Sequence, residues 1–316
     1  MMTTAWGTTQ LIPLREADAE AERALLDAFV QFWTVQSSDD LRATYDRFVA
    51  ATPPADGVTA MAVDDAEARG WWLFPSGMER VTDAAVLYLH GGGYVLGSAT
   101  AYRHFASQIV ARTNRPMLVL DYPLAPEQAL PVAHDIALTA VKWLARQGVR
   151  RLAVVGDSAG GGLSLSVMAS LVKAAGAEGH AGLPELRAGA VFSPWTDLSL
   201  SGASMNDPII RDVLLTRDYL ADSARKYLGG QVPTHPMASP LFGIPHGMPP
   251  LYIQAGSEEL LRDDALRYAG QARAQGNTVT LEIWQGLHHV FHFNVAELES
   301  ARIALDRVAA FVVEHL

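Results

Sequence analysis

Gly156-Asp157-Ser158-Ala159-Gly160 is the segment of this chain best suited to covalent chemistry. It fits G-x-S-x-G, with the apolar run Arg151 to Val155 before it and a stretch of small residues, Gly160 to Ala175, after it. That is the strand–elbow–helix setting the motif needs. A nucleophile on so cramped a turn has strained backbone angles, so its neighbours must be small, as Gly156 and Gly160 are. The turn also sets the Ser158 hydroxyl at a helix N-terminus, where free N–H groups and the dipole favour developing negative charge.

Acyl transfer needs hydrogen-bond donors for its tetrahedral oxyanion. His90-Gly91-Gly92-Gly93-Tyr94 ends another apolar run, and consecutive glycines leave backbone N–H groups open to close approach. The donors expected are the N–H groups of Gly92, Gly93 and Ala159. His90 is expected to stabilise the turn. Glycine-rich phosphate loops of the G-x-G-x-x-G and G-x-x-x-x-G-K-[ST] kinds are absent, and no basic residue follows these glycines.

A serine nucleophile needs a base, and the base needs an orienting carboxylate; in sheet enzymes of this kind the chain order is Ser, acid, His. Two segments past Ser158 qualify. Gly256 to Asp264 follows the strand LYIQA and offers Glu258, Glu259, Asp263 and Asp264. Gly286 to His292 follows the strand LEIWQ and offers His288, His289 and His292. Clustered histidines also suggest a metal site, but no H-E-x-x-H or carboxylate-bearing partner motif accompanies them, so neither metal nor organic cofactor is expected.

These groups must be positioned by a sheet. Apolar runs at Ala85 to His90, Pro116 to Asp121, Arg151 to Val155, Ala188 to Phe192, Leu251 to Gln254 and Val279 to Trp284 read as buried strands. A pair, Val58 to Val63 and Trp71 to Phe74, precedes them. Helical spacing marks Ala19 to Phe32, Asp39 to Ala50, Ala101 to Thr113, His134 to Gln147, Gly160 to Ala175, Arg262 to Gln275 and Glu297 to His315. The expectation is an α/β protein with a mostly parallel eight-stranded sheet and helices on both faces. Residues 199–241 break the rhythm with several Pro and a Gly pair. With the first fifty or so residues, they are expected to cap the sheet's C-terminal edge, where open α/β sheets bind ligands. The whole chain, 1–316, is read as one domain.

Composition narrows the partners. Hydrophobic residues are 49% of the 316 and charged ones 18%, enough for a sizeable core. Lys and Arg number 24 against 34 Asp and Glu, a net charge of −10, and no basic cluster supplies a nucleic-acid footprint or an anionic-membrane contact. The absence of Cys removes thiol nucleophiles, thiolate metal sites and disulfides together. Met1 to Gln10 holds no Lys or Arg and no apolar run follows, and no stretch reaches the ~18 apolar residues of a membrane span. A cytoplasmic protein is expected.

From residue 85 onward the chain resembles the hormone-sensitive-lipase-like esterases, bacterial family IV of the α/β-hydrolase fold. The likeness rests on the HGGG and GDSAGG boxes, on Asp121 to Pro131 (DYPLAPEQALP), similar to Y-R-L-A-P-E-x-x-F-P, and on Ser193 to Ser199 (SPWTDLS). The resemblance implies a serine carboxylesterase acting on short-chain or small hydrophobic esters, with Gly92, Gly93 and Ala159 as the oxyanion hole. The histidine box H-V-F falls on His289-Val290-Phe291, which leaves His288 and His292 as polar or pocket-rim neighbours. The family acid usually sits in a D-P-L-x-D box; here that alignment puts Glu259 at the acid position, with Asp263 as runner-up. Tyr94, Trp195, Phe291 and Phe293 are candidates for the substrate pocket, and Arg262 for pairing with Asp263 or Glu127. The same triad serves lactone and N-acetyl or amide hydrolysis, and a related plant hormone receptor lacks the catalytic histidine, whereas His289 is present here. A homodimer stays open.

Overall fold

A computed structural model describes residues 7–35, 40–178 and 182–316. The chain opens with β1 (Thr9–Ile12), α1 (Ala19–Val35) and α2 (Leu41–Ala50), then the pair β2 (Val58–Asp64) and β3 (Arg69–Pro75). Strands and helices alternate from there: β4 (Ala84–Leu89), α3 (Ala99–Thr113), β5 (Met117–Leu120), α4 (Val132–Arg146), β6 (Arg151–Asp157) and α5 (Ser158–Glu178). Next come β7 (Glu185–Phe192), α6 (Arg217–Leu228), β8 (Leu251–Gly256), α7 (Arg262–Ala274), β9 (Val279–Trp284) and α8 (Glu299–His315). No helix among the described residues is long and apolar enough to cross a membrane.

The sheet runs β1-β9-β8-β7-β6-β4-β5-β3-β2. Only the β2–β3 and β3–β5 pairings are antiparallel. Among the described residues the expected eight strands are nine, because Thr9–Ile12 adds a parallel edge strand to β9. β1 lies within the first fifty or so residues expected to form a cap, yet it belongs to the sheet. The start of the second helix, expected at Asp39, lies outside the described residues. Asp40 caps that helix, accepting from Arg42 N at 2.9 Å.

Every residue of β4, β5, β8 and β9 is buried, which explains continuous apolar runs in place of alternation. One face packs α3 and α8 through Phe105, Ile109, Leu305 and Phe311. The other packs α4, α5 and α7 through Val141, Leu163, Met168 and Tyr268. The loops after β4, β6, β8 and β9 open on the same C-terminal edge, since these strands are parallel.

Candidate active site

β6 ends at Asp157 and α5 starts at Ser158, with no residue between them. Ser158 has φ 51°, a left-handed backbone that a side-chain-bearing residue adopts only when its surroundings force it. The flanking glycines supply that force. A Cβ on Gly160 would run into the carbonyl oxygens of Leu89 and His90; one on Gly156 would meet the oxygens of Leu89 and Gly160 at 2.6 Å. Only hydrogen at both positions lets β6, β4 and the first turn of α5 close on one another.

His289 Nε2 lies 3.0 Å from Ser158 Oγ, and His289 Nδ1 lies 3.2 Å from Glu259 Oε1. The other carboxylate oxygen, Glu259 Oε2, accepts from Ser193 Oγ at 2.6 Å and from Gly256 N at 2.9 Å. Ser193 Oγ in turn accepts from Val290 N at 3.1 Å. Ser193 and Val290, at φ 45° and 49°, both take left-handed turns to make that contact. Burial alone would lower the His289 pKa, but the Glu259 charge and hydrogen bond, with Asp212 and Asp157 further off, raise it above the usual imidazole value.

The other carboxylates of the segment point elsewhere. Asp263 accepts from Ser204 N at 3.0 Å and pairs with Arg262 at 3.2 Å. Asp264 accepts from Thr196 N and Asp197 N, and burial pushes it up to about 8. Glu258 accepts from Ser257 Oγ. Glu127 is taken by Arg42 of α2 at 2.6 Å, not by Arg262. The neighbouring histidines are buried in separate networks rather than at a pocket rim: His288 on Glu22, His292 on Gln254.

The glycine loop is tied to the elbow through Asp157. Its carboxylate accepts from Gly91 N at 2.9 Å, Tyr88 OH at 2.6 Å and Tyr102 OH at 3.0 Å, and burial raises it to about 6. Gly92 and Gly93 take φ 106° and 63°, open to glycine alone without strain. His90 works in the turn as expected: Nδ1 donates to Gly91 O at 2.8 Å and the ring stacks on Tyr122 at 4.2 Å. Ala159 is buried in the first turn of α5, where backbone N–H groups have no partner within the helix.

Ser158, His289, Gly92 and Gly93 line a cavity of about 300 Å³. Its remaining walls come from α1 and α2 (Trp33, Tyr45, Phe48), from Leu215 and Tyr219 at the start of α6, and from Phe293. Tyr94, Trp195 and Phe291 are not among the lining residues. Tyr94 is stacked face to face on Tyr227 at 3.7 Å, and Trp195 and Phe291 are fully buried in the core. Adjacency to a motif misleads here: Tyr94 packs on Tyr227 of α6, and Phe291 on Trp284 at the end of β9. Trp33, Tyr45 and Phe48 belong to no motif in the sequence, so nothing there marks them as cavity residues. A wider depression by Leu14, Trp284 and Arg307 holds none of the reactive groups.

Known proteins bear on this arrangement. The family described by the alpha/beta hydrolase fold matches residues 86–293. An acetyl-hydrolase of Streptomyces hygroscopicus is 37% identical over 86% of this chain and 88% of its own. An esterase of Acinetobacter venetianus is 31% identical over 72% of this chain and 73% of its own. The crystal structure of an esterase from the bacterial hormone-sensitive lipase family superposes with a TM-score of 0.82 at 31% identity, covering 92% of this chain and 97% of that one. With its elbow, glycine loop and histidine loop on one sheet edge, the chain belongs to the hormone-sensitive-lipase-like esterases of the α/β-hydrolase fold.

Proposed function

We propose that the protein hydrolyses small carboxylic esters through an acyl-enzyme on Ser158. The observation that carries this reading is the unbroken Ser158–His289–Glu259 hydrogen-bond chain, whose Ser158 and His289 line a cavity together with Gly92 and Gly93. His289 Nε2 takes the Ser158 proton as Oγ bonds the carbonyl carbon. Glu259 holds the imidazole with Nδ1 protonated and stabilises the imidazolium. The N–H groups of Gly92, Gly93 and Ala159 receive the oxyanion. The tetrahedral intermediate collapses, the ester C–O bond breaks, and His289 returns the proton to the leaving alkoxide. Water, deprotonated by His289, then attacks the acyl carbon; the bond from that carbon to Oγ breaks, and His289 returns the proton to Ser158 Oγ. Protein groups and water suffice for every step.

Residues of α1 and α2 and the segment 199–241 act as the cap of this single domain, since both supply cavity walls. A largely apolar space near 300 Å³ suits short acyl chains. Ser158→Ala is expected to lower p-nitrophenyl acetate turnover by about 10³-fold or more and to abolish stoichiometric labelling by a serine-directed organophosphate. Near-normal turnover in that variant refutes the mechanism. The relative named an acetyl-hydrolase favours acetyl as the acyl group and leaves ester against amide open; turnover of phenyl acetate beside acetanilide separates the two.

A further inference from the structure

We propose that Glu22 is a positioning residue for His289, so that alignment of the triad depends on helix α1 being docked. The proposal rests on the serine-esterase reading above.

Glu22 lies in the first turn of α1 and His288 lies on the loop after β9, yet their side chains are only 4% and 3% exposed against each other. Glu22 Oε1 accepts from the His288 backbone N–H at 3.1 Å. Its two oxygens lie 2.8 and 2.9 Å from His288 Nδ1. The far ring nitrogen, Nε2, is 3.1 Å from Asn294 Oδ1. Phe29, two turns along the same helix face, sets its ring edge-on against the imidazole at 5.2 Å.

The position of this anchor gives it a function. The residues on either side of His289 are held through their backbone N–H groups by different partners. Val290 N–H goes to Ser193 at the end of β7, within the sheet that also orients Glu259. His288 N–H goes to Glu22 on α1. Without Glu22, that buried N–H and the His288 ring lose their acceptor, and the loop has reason to shift toward another one. A displacement of about 1 Å in a reacting group costs about a hundredfold in rate.

The second cap segment repeats the device. Asp212, which precedes α6, accepts from Leu260 N at 3.0 Å, the residue after Glu259, and from Leu214 N and Leu215 N at 2.9 and 2.8 Å. Each cap segment thus places a carboxylate on the backbone beside a triad member. Because Trp33 of α1 lines the cavity, docking this helix both closes the site and sets its base.

The test compares wild type, Glu22→Ala and Glu22→Gln in the full-length protein. Organophosphate titration counts competent sites, and p-nitrophenyl acetate gives kcat and KM per titrated site. Glu22→Ala is expected to lose at least about tenfold in kcat per titrated site with KM changed by less than about threefold. Glu22→Gln, which keeps an oxygen for the His288 N–H, recovers most of that loss. Wild-type turnover per titrated site in Glu22→Ala overturns the proposal, since a structural role alone would change only how many sites titrate. A Gln variant as slow as the Ala variant overturns it too. If Glu22→Ala yields no soluble protein, Glu22→Asp, with its carboxylate drawn back by one methylene, carries the same comparison. A wild type that neither titrates nor turns over would instead refute the esterase reading.

Discussion

Glu259 and Asp263 stand four positions apart in one segment, and the sequence alone could not separate them without the family alignment. Their surroundings differ completely. Both oxygens of Glu259 are engaged by His289, Ser193 and Gly256, whereas Asp263 serves Ser204 and Arg262. Gly256 belongs to the same segment as Glu259, but Ser193 and His289 come from the ends of two other strands, so no local pattern encodes the choice. By contrast, Ser158 and His289, the proposed nucleophile and base, each sit in a short sequence box, G-x-S-x-G and H-V-F. The same electrostatics set a pH dependence. In the proposed mechanism His289 is a base only when neutral, and its pKa is raised, so kcat/KM is expected to fall as pH drops through a value above the ordinary imidazole 6.5. Glu259→Gln is expected to cut kcat by about 10⁴-fold. It also removes the foremost group raising that pKa, so the residual activity has its acid limb at lower pH. Asp263→Asn is expected to stay within a few-fold of wild type. A pH–rate series on the three proteins decides the matter, and an inactive Asp263→Asn would reassign the acid.

Elements were legible where burial is two-sided and hidden where it is not. The apolar runs of β4, β6, β8 and β9, buried in all their residues but the first of β6, stand out in the sequence. β1 did not: its four residues, Thr-Gln-Leu-Ile, bury little, and its partner β9 lies some 270 positions later in the chain. Nothing local marks such a strand, because its hydrogen bonds rather than its side chains hold it. Glycines show the same division. Gly160, in the first turn of α5, has no room for a methyl group against the backbone of Leu89 and His90, which leads into the glycine loop. Gly270, in the exposed middle of α7, faces open space. Gly270→Ala is therefore expected to stabilise the protein by about 0.5–1 kcal/mol through lower backbone freedom in the unfolded chain. Gly160→Ala is expected to cost about 1–3 kcal/mol and to lose activity with it. Thermal unfolding with turnover on both variants checks the pair; a lower Tm for Gly270→Ala, or wild-type turnover in Gly160→Ala, contradicts the packing argument.

At the scale of the whole molecule, cap and sheet meet around space that the chain keeps divided. Arg42 fastens α2 to the loops below it, donating to Val95 O at 2.9 Å and Ala125 O at 3.0 Å and pairing with Glu127. This holds Phe48, also on α2, against Phe293, with ring centroids 6.5 Å apart in an edge-on arrangement. Both rings line the cavity over Ser158, and both also line a second cavity of about 250 Å³ that opens toward Arg47, Asn294 and Glu297. The two rings are thus a wall shared by both spaces. Were the cavity over Ser158 continuous with the second, acyl chains of medium length would be expected to find apolar cover there. Phe48→Ala removes the ring that α2 contributes. Each newly buried methylene is worth ~0.8 kcal/mol, so two are enough for a tenfold change in preference. The ratio of kcat/KM for p-nitrophenyl octanoate to that for the acetate is therefore expected to rise by at least about tenfold over wild type. A parallel fall on every chain length would show that Phe48 holds the cap in place without setting the limit on chain length, because loss of cap packing penalises all substrates alike and only an opened wall rewards the long ones.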